Sequence, residues 1–334
     1  MPIRTAPGPG RQAKRAGRSP WSGCYDAVMH NERRAILFGL TLSLLWGLSF
    51  LSIKVAVLEI PPMTMALYRF VIACAVLPLI ARWSGESLRV AGADLPALAA
   101  GGLTGVTLYF YGENHGVALL SASESSLVIS FIPVLAVLAE RVFQGVRLGA
   151  RAYVGAGLST LGVILVVARS AGSTSSRMGY LFMLVACAAW VLYGQVTRRV
   201  GARYGLITVS FWQCLFGLLG CVPFALGESA RWAVPSLAAV LNVGFLGVFC
   251  SAAGYWLYIA TQNALGSGRA SVYLNLIPVV SVAASFVLLG ERLGAMQLLG
   301  GAVVVAGVAL ATGPASWFRW GREAEDVPSE AGVG

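Results

Sequence analysis

Arg69 and Glu113 are charges of opposite sign, each set inside a long run of apolar residues. An ionisable group in such a run is costly, and it marks a solute path or a proton relay by default. The two fall at similar depth in successive runs. One reading is a static ion pair pinning the two runs together, in which either charge alone would be uncompensated. The other is a gate or proton-responsive site. Gly102, Gly105, Tyr109, Gly112, Glu113 and Gly116 form one stripe at helical spacing, with Asn114 beside it. Its glycines permit close helix packing, whereas its tyrosine and carboxylate suit the edge of a cavity. Trp46 with Ser49, and Trp190 with Tyr193, are aromatic-polar pairs near the middle of their runs. They lie too deep for a headgroup belt, which favours cavity lining. Ser126, Ser130, Pro133 and Glu140 share one face of a run, and Ser271, Asn275, Pro278 and Ser285 share the matching face of another. Each proline frees the carbonyl four residues earlier, Ile129 or Leu274. In a bilayer that carbonyl must face protein or water, so a shared cavity is expected at Ser130 and Asn275. Tyr255, Tyr258 and Tyr273 are weaker candidates of the same kind.

The same inventory excludes other chemistry. Lysine occurs only at 14 and 54 and there is no phosphate-binding glycine loop, which argues against ATP hydrolysis. The six cysteines include no CxxC pair and no Cys/His cluster, so neither a metal nor another cofactor is expected. His115, one of two histidines, is the one within a run and has no nucleophile beside it, so the chain is not read as an enzyme. The net charge of +10 raises the question of nucleic acid. However, the basic residues sit in the N-terminal arm and at the ends of runs, with no aromatic interleaving on a polar face. The expected partners are a small-molecule solute and the lipid bilayer, with a homodimer compatible and nucleic acid not.

The elements that carry these residues follow from composition. Of 334 residues, 57% are hydrophobic and 11% charged, with mean hydropathy +0.75, whereas soluble chains are about 25% charged. Apolar runs of about 20 residues, the thickness of a bilayer core, follow one another from residue 35 to residue 313. Helices are expected at 35–57, 61–82, 95–118, 121–142, 148–168, 178–199, 205–226, 235–259, 267–288 and 294–314. The fold class is an all-α membrane protein. Residues 1–34, rich in Pro, Gly and Arg, read as a disordered basic tail, with Met29 a second candidate start. Residues 315–334 form the C-terminal tail. Arg82, Arg89, Arg141, Arg147, Arg151, Arg198, Arg199, Arg203 and Arg269 fall on the side of the basic arm, against Lys54, Arg169, Arg177, Arg231 and Arg292 on the other. The positive-inside rule then puts both termini in the cytoplasm.

Residues 120–166 align without a gap onto 265–311, with about a third of the positions identical, more than shared apolarity explains. Ile132-Pro133-Val134 falls on Ile277-Pro278-Val279, and Gly155 and Gly162 on Gly300 and Gly307. With a register change of one residue, Trp46, Lys54 and Arg69 fall on Trp190, Arg198 and Gln213. Two repeats, 35–168 and 178–314, each of five helices, must enter the membrane from opposite sides, the inverted arrangement of secondary transporters.

Trp46-Gly47-Leu48-Ser49-Phe50 with Lys54, Pro62, Arg69-Phe70, Glu113-Asn114, Ala118-Leu119, Ser125-Ser126, Pro133 and Gly290-Glu291-Arg292-Leu293 occur in the order and spacing of a known family. The chain resembles the EamA family of the drug/metabolite transporter superfamily over residues 35–314. Val146 stands at the first-repeat position equivalent to Glu291, a departure from the family pattern. The resemblance implies export of small polar metabolites, such as amino acids, amines or carboxylates, across the cytoplasmic (inner) membrane. Uptake of a vitamin or nucleoside-like metabolite on the same fold is the alternative. A membrane-embedded enzyme or a subunit of a larger complex is a third reading. The substrate-binding or coupling set is Trp46, Ser49, Arg69, Tyr109, Glu113, Asn114, Ser130, Trp190, Tyr193 and Asn275.

Overall fold

The computed structural model describes residues 32–145, 149–170, 174–201, 203–258, 260–261 and 273–312. The basic tail up to residue 31, the C-terminal segment from 313, Val146, Arg147 and Ser271 lie outside them, as do the side chains of Glu140, Arg198 and Arg199. Among the described residues there is helix and no strand.

Helix α1 is Glu32–Ala56 and α2 is Pro62–Ser84. Helix α3 covers 95–119 in three sections: Leu95–Gly102, the π-helical Leu103–Leu108, and Tyr109–Leu119. Helix α4 consists of Ala122–Ile129 and Ile132–Gln144, interrupted just before Pro133. Then come α5 (Ala150–Ser170), α6 (Thr174–Gly201) and α7 (Leu206–Gly227). Helix α8 runs over Leu237–Tyr258 with a π-helical section at Leu246–Ala253. Helix α9 is Ile277–Leu289 and α10 is Ala295–Thr312. Seven of these helices, among the described residues, are long and apolar enough to cross a membrane, and α9 and α10 are shorter apolar helices. Leu79, Leu219 and Phe286 point outward, each more than half exposed. Such an apolar exterior suits lipid rather than water, and the chain is a multi-pass membrane protein.

Each helix is bounded by identifiable local chemistry. Pro62 opens α2 with a preset φ. Ser121 and Glu124 form a reciprocal capping box at the start of α4. Gly145 and Gly290, at equivalent positions of the repeat, end α4 and α9 in the left-handed conformation with φ of 67° and 66°, where a side chain would be strained.

Carboxylates bind the helix ends across the repeats. Glu86, just past the end of α2, accepts from the Thr208 amide (2.8 Å) and hydroxyl (2.7 Å) at the start of α7. Glu228, just past the end of α7, accepts from the amides of Met63 and Thr64 (3.0 and 2.8 Å) at the start of α2. Helices α2 and α7 therefore run antiparallel, each capped by the other's terminal glutamate. Glu59, after α1, accepts from the Ser236 amide (2.6 Å) at the start of α8. At the start of α3, Asp94 accepts from Tyr204 (2.7 Å) and Arg203 (2.8 Å), which follow α6. Glu291, after α9, accepts from Ala122 and Ser123 at the start of α4. Lys54 at the end of α1 donates to the carbonyls of Val117 and Leu120 at the end of α3. Side chains thus satisfy orphan backbone groups at these helix ends.

Helices α5 and α10 cross through small residues. A Cβ at Gly155 would meet the Gly307 carbonyl at 2.6 Å, and one at Gly162 the Gly300 carbonyl at 2.6 Å. The four glycines equivalent by the repeat therefore meet crosswise, with the two backbones in contact.

Candidate functional site

One cavity of about 120 Å³ lies where α1, α2, α3, α4, α6, α8 and the segment leading into α9 converge. It has room for several water molecules. Both halves of the chain line it. Trp46, Ser49, Arg69, Tyr109, Glu113, Ser130, Trp190 and Asn275, all in the substrate-binding or coupling set read from the sequence, border it. Ile129 and Leu274, whose carbonyls the prolines free, border it as well, beside Pro133 and Pro278.

Local structure explains how each side chain arrives there. The indole of Trp46 donates to the Cys250 carbonyl (2.9 Å), in the π-helical section of α8, and its ring meets Tyr255 edge-on at 6.1 Å. Trp190, its repeat counterpart, packs on Tyr109 at 5.0 Å and on Tyr193 at 5.2 Å. Tyr109, the first residue after the π-helical section of α3, donates through its hydroxyl to Glu113 Oε1 (2.8 Å), one turn further on. Ser130 turns its hydroxyl to the Leu127 carbonyl (2.6 Å) where α4 breaks.

Arg69 and Glu113 border the same cavity but form no ion pair. This sets aside the static ion pair, one of the two readings of these charges. Nε of Arg69 donates to the Ser251 hydroxyl (2.7 Å), and its guanidinium lies over the Phe110 ring at 4.4 Å from the centroid. With the guanidinium held by α8 and Phe110, and Glu113 satisfied within α3 by a phenol at i−4, each charge has a neutral partner. Both side chains are buried, Arg69 at 5% and Glu113 at 4% exposure.

Two expected residues are not part of the cavity wall. Asn114 is fully buried and donates to the Pro62 carbonyl (2.9 Å), tying α3 to the start of α2. Tyr193 sits behind Trp190 and donates to Gln213 (3.0 Å), which in turn donates to Thr197 (2.8 Å). Gln213, the counterpart of Arg69, is thereby enclosed rather than facing the cavity. The glycine stripe of α3 divides as its two readings suggested. Gly112 and Gly116 pack on Ala186 and Met183 of α6, while Tyr109 and Glu113 face the cavity.

Sequence reasoning missed Ser251 and Phe110, the partners of Arg69. It also missed the capping roles of Glu59, Glu86 and Glu228. Phe110 carried a weak signal, being adjacent to the Tyr109 stripe. Ser251 carried none, because it lies in a π-helical turn, where ordinary helical periodicity fails. No cluster of metal-ligating side chains occurs among the described residues.

An apolar multi-helix bundle with charged groups at a buried central cavity is an architecture suited to moving a solute across a membrane. The comparisons make the class specific: residues 33–168 and 177–313 each match the EamA-like transporter family, and the chain belongs to that family. It is similar to an uncharacterized transporter of Archaeoglobus fulgidus, 30% identical over 83% of this chain and 97% of the relative. It is also 29% identical to a probable terminal-alkyne amino-acid exporter of Streptantibioticus cattleyicolor, over 79% of this chain and 89% of that one. A solved crystal structure of a protein with 22% identity superposes with a TM-score of 0.60, covering 84% of this chain and 98% of its own. That likeness is one of fold.

Proposed function

We propose that this EamA-family transporter is a secondary-active exporter of small polar metabolites, such as amino acids, amines or carboxylates, working by alternating access in the cytoplasmic membrane. The observation that carries the reading is the composition of the cavity wall. Repeat-related residues meet in it from both halves: Trp46 with Trp190, Ser130 with Asn275, and Ile132-Pro133 with Ile277-Pro278. A wall built from two related halves can open to either side as the halves exchange conformations.

The reading takes 35–168 and 178–314 as two five-helix repeats of opposite orientation, ten spans in all, with both termini cytoplasmic. The antiparallel α2 and α7, with their reciprocal glutamate caps, support opposite orientation. Export of an amino acid by a relative, as its name has it, supports the direction and one of the solute classes. Glu113 is the acidic group bordering the cavity and serves as the coupling site in this reading.

The test is a metabolite-resolved flux screen with the purified chain in liposomes, with and without a pH gradient. Movement of a small polar solute without any partner, accelerated by the gradient, is expected. Flux that needs a second protein, or covalent conversion of the solute, would contradict the reading.

A further inference from the structure

The donors of Arg69 are unevenly used. Nε is taken by Ser251 and the guanidinium face by Phe110, but Nη1 is buried without a hydrogen-bond partner among the described residues. A lysine in that position could shed its proton, whereas a guanidinium stays charged. A buried charged donor without an acceptor is among the costliest features a fold can hold. In native structures each such group calls for an explanation.

Gln213 provides an internal control. It occupies the equivalent position in α7, is equally buried, and has both ends of its amide engaged, by Tyr193 and by Thr197. At the equivalent position of the second repeat the polar side chain is therefore saturated by protein. In the other repeat, at a residue that borders the cavity, one buried donor has no partner among the described residues. Glu113 does not fill that role, because its carboxylate is held by Tyr109 and makes no ion pair with Arg69.

We infer that Arg69 is the carboxylate-binding residue of the transport site, and that the solute is an organic acid or amino acid with an apolar or aromatic body; this rests on the transport reading above. The planar fork of a guanidinium matches a carboxylate in two parallel hydrogen bonds, a fit that an ammonium or a neutral hydroxyl lacks. Ser251 and Phe110 fix the plane of the fork before any solute arrives, which lowers the ordering cost of binding. Trp46, Trp190, Tyr255 and Leu274 supply an apolar wall for the rest of the molecule. A single cation on such a wall suits an organic monoanion better than a strongly hydrated inorganic anion. Among the solute classes of the proposed function, amines without a carboxylate are the ones excluded.

The experiment uses the full chain in liposomes with matched probes: the standard amino acids, the amine each leaves on decarboxylation, and the acid each leaves on deamination, with sodium phosphate and chloride as inorganic controls. Competition for flux of any transported solute is measured for every probe. The probes that compete should all carry a carboxylate, with each decarboxylated amine at least about tenfold weaker than its parent, since a site built around a hydrogen-bonding group rejects the analogue lacking it. Arg69→Gln should level that preference while keeping the melting temperature, because Gln is accommodated at the equivalent buried position. Arg69→Lys, which keeps the charge without the fork, should retain part of it. Amines competing as well as their parents in the wild type would overturn the inference, as would a preference unchanged in Arg69→Gln or competition by the inorganic anions alone. The wild-type panel decides even if Arg69→Gln does not insert. A chain that moves no solute of any class would defeat the transport reading and this inference with it, whereas flux of amines on equal terms would defeat this inference alone.

Discussion

Glu113 keeps its carboxylate beside the phenol of Tyr109, 2.8 Å away, rather than beside Arg69. That arrangement sets what its removal should do. A glutamine at 113 still accepts from Tyr109 and leaves no direct ion-pair partner stranded, so Glu113→Gln should insert and melt close to wild type. If the carboxylate couples transport, the variant loses acceleration by a pH gradient and keeps passive exchange. Flux and melting temperature measured together check this, and wild-type gradient dependence in the variant would remove Glu113 from the coupling role. Ser130 and Asn275 border the cavity from α4 and from the segment before α9. Ser130→Leu and Asn275→Leu should each cut flux severalfold with expression and melting temperature largely kept, because the added bulk enters open space rather than a packed core. Normal flux, or failure to insert, would mark them as packing residues. These positions were legible in the sequence because repeat equivalence and proline spacing both pointed to one spot. Asn114 and Tyr193 face neighbouring helices, and which face a helix gives to a cavity depends on partners that sequence does not name. Ser251 was hidden by the π-helical section of α8, which shifts every later residue off the 3.6-residue period.

At the scale of the elements, the helix ends carry much of the specificity. Glu228 is buried and holds two amides and the Thr64 hydroxyl at the start of α2. Glu228→Ala leaves those donors without their acceptor and should cost about 1–3 kcal/mol, read as a lower melting temperature in detergent with flux per folded molecule less affected. Glu59 makes the analogous contact at the start of α8 in an exposed position, and the amide and hydroxyl of Ser236 hold its carboxyl below the usual carboxylate range. A depressed folded value means the contact stabilises fully above the range of an unfolded glutamate and is lost as pH falls through the folded value. Glu59→Gln should therefore melt below wild type at neutral pH, with the gap closing as the medium is acidified into and below the carboxylate range. A gap independent of pH would show that the charge of Glu59 plays no part. The helices themselves were legible from run length and turn residues, and most boundaries fall within a few residues of expectation. The cross-repeat caps were not, because a glutamate past a helix end looks like any solvated charge until the partner terminus is known.

At the scale of the whole molecule, two pairs of helices that the repeat makes equivalent meet antiparallel, α5 with α10 and α2 with α7. Gly155 and Gly162 of α5 meet Gly307 and Gly300 of α10 crosswise, and the glutamates after α2 and α7 each cap the other helix. The duplication read from residues 120–166 against 265–311 agrees with the two matches to one family, at 33–168 and 177–313, and opposite orientation is proposed from an odd number of spans per half. Everything in the transport account depends on that orientation, since halves entering from the same side could not exchange inward-open and outward-open conformations. Ser87 and Ser229 test it directly: both are exposed, and they follow α2 and α7, the helices the repeat makes equivalent. With native cysteines replaced and a single cysteine at one of the two positions, a membrane-impermeant thiol reagent is applied to intact cells and to inverted vesicles. The account predicts that Ser87→Cys is labelled only from the cytoplasmic side and Ser229→Cys only from the outside; labelling of both from the same side would contradict it.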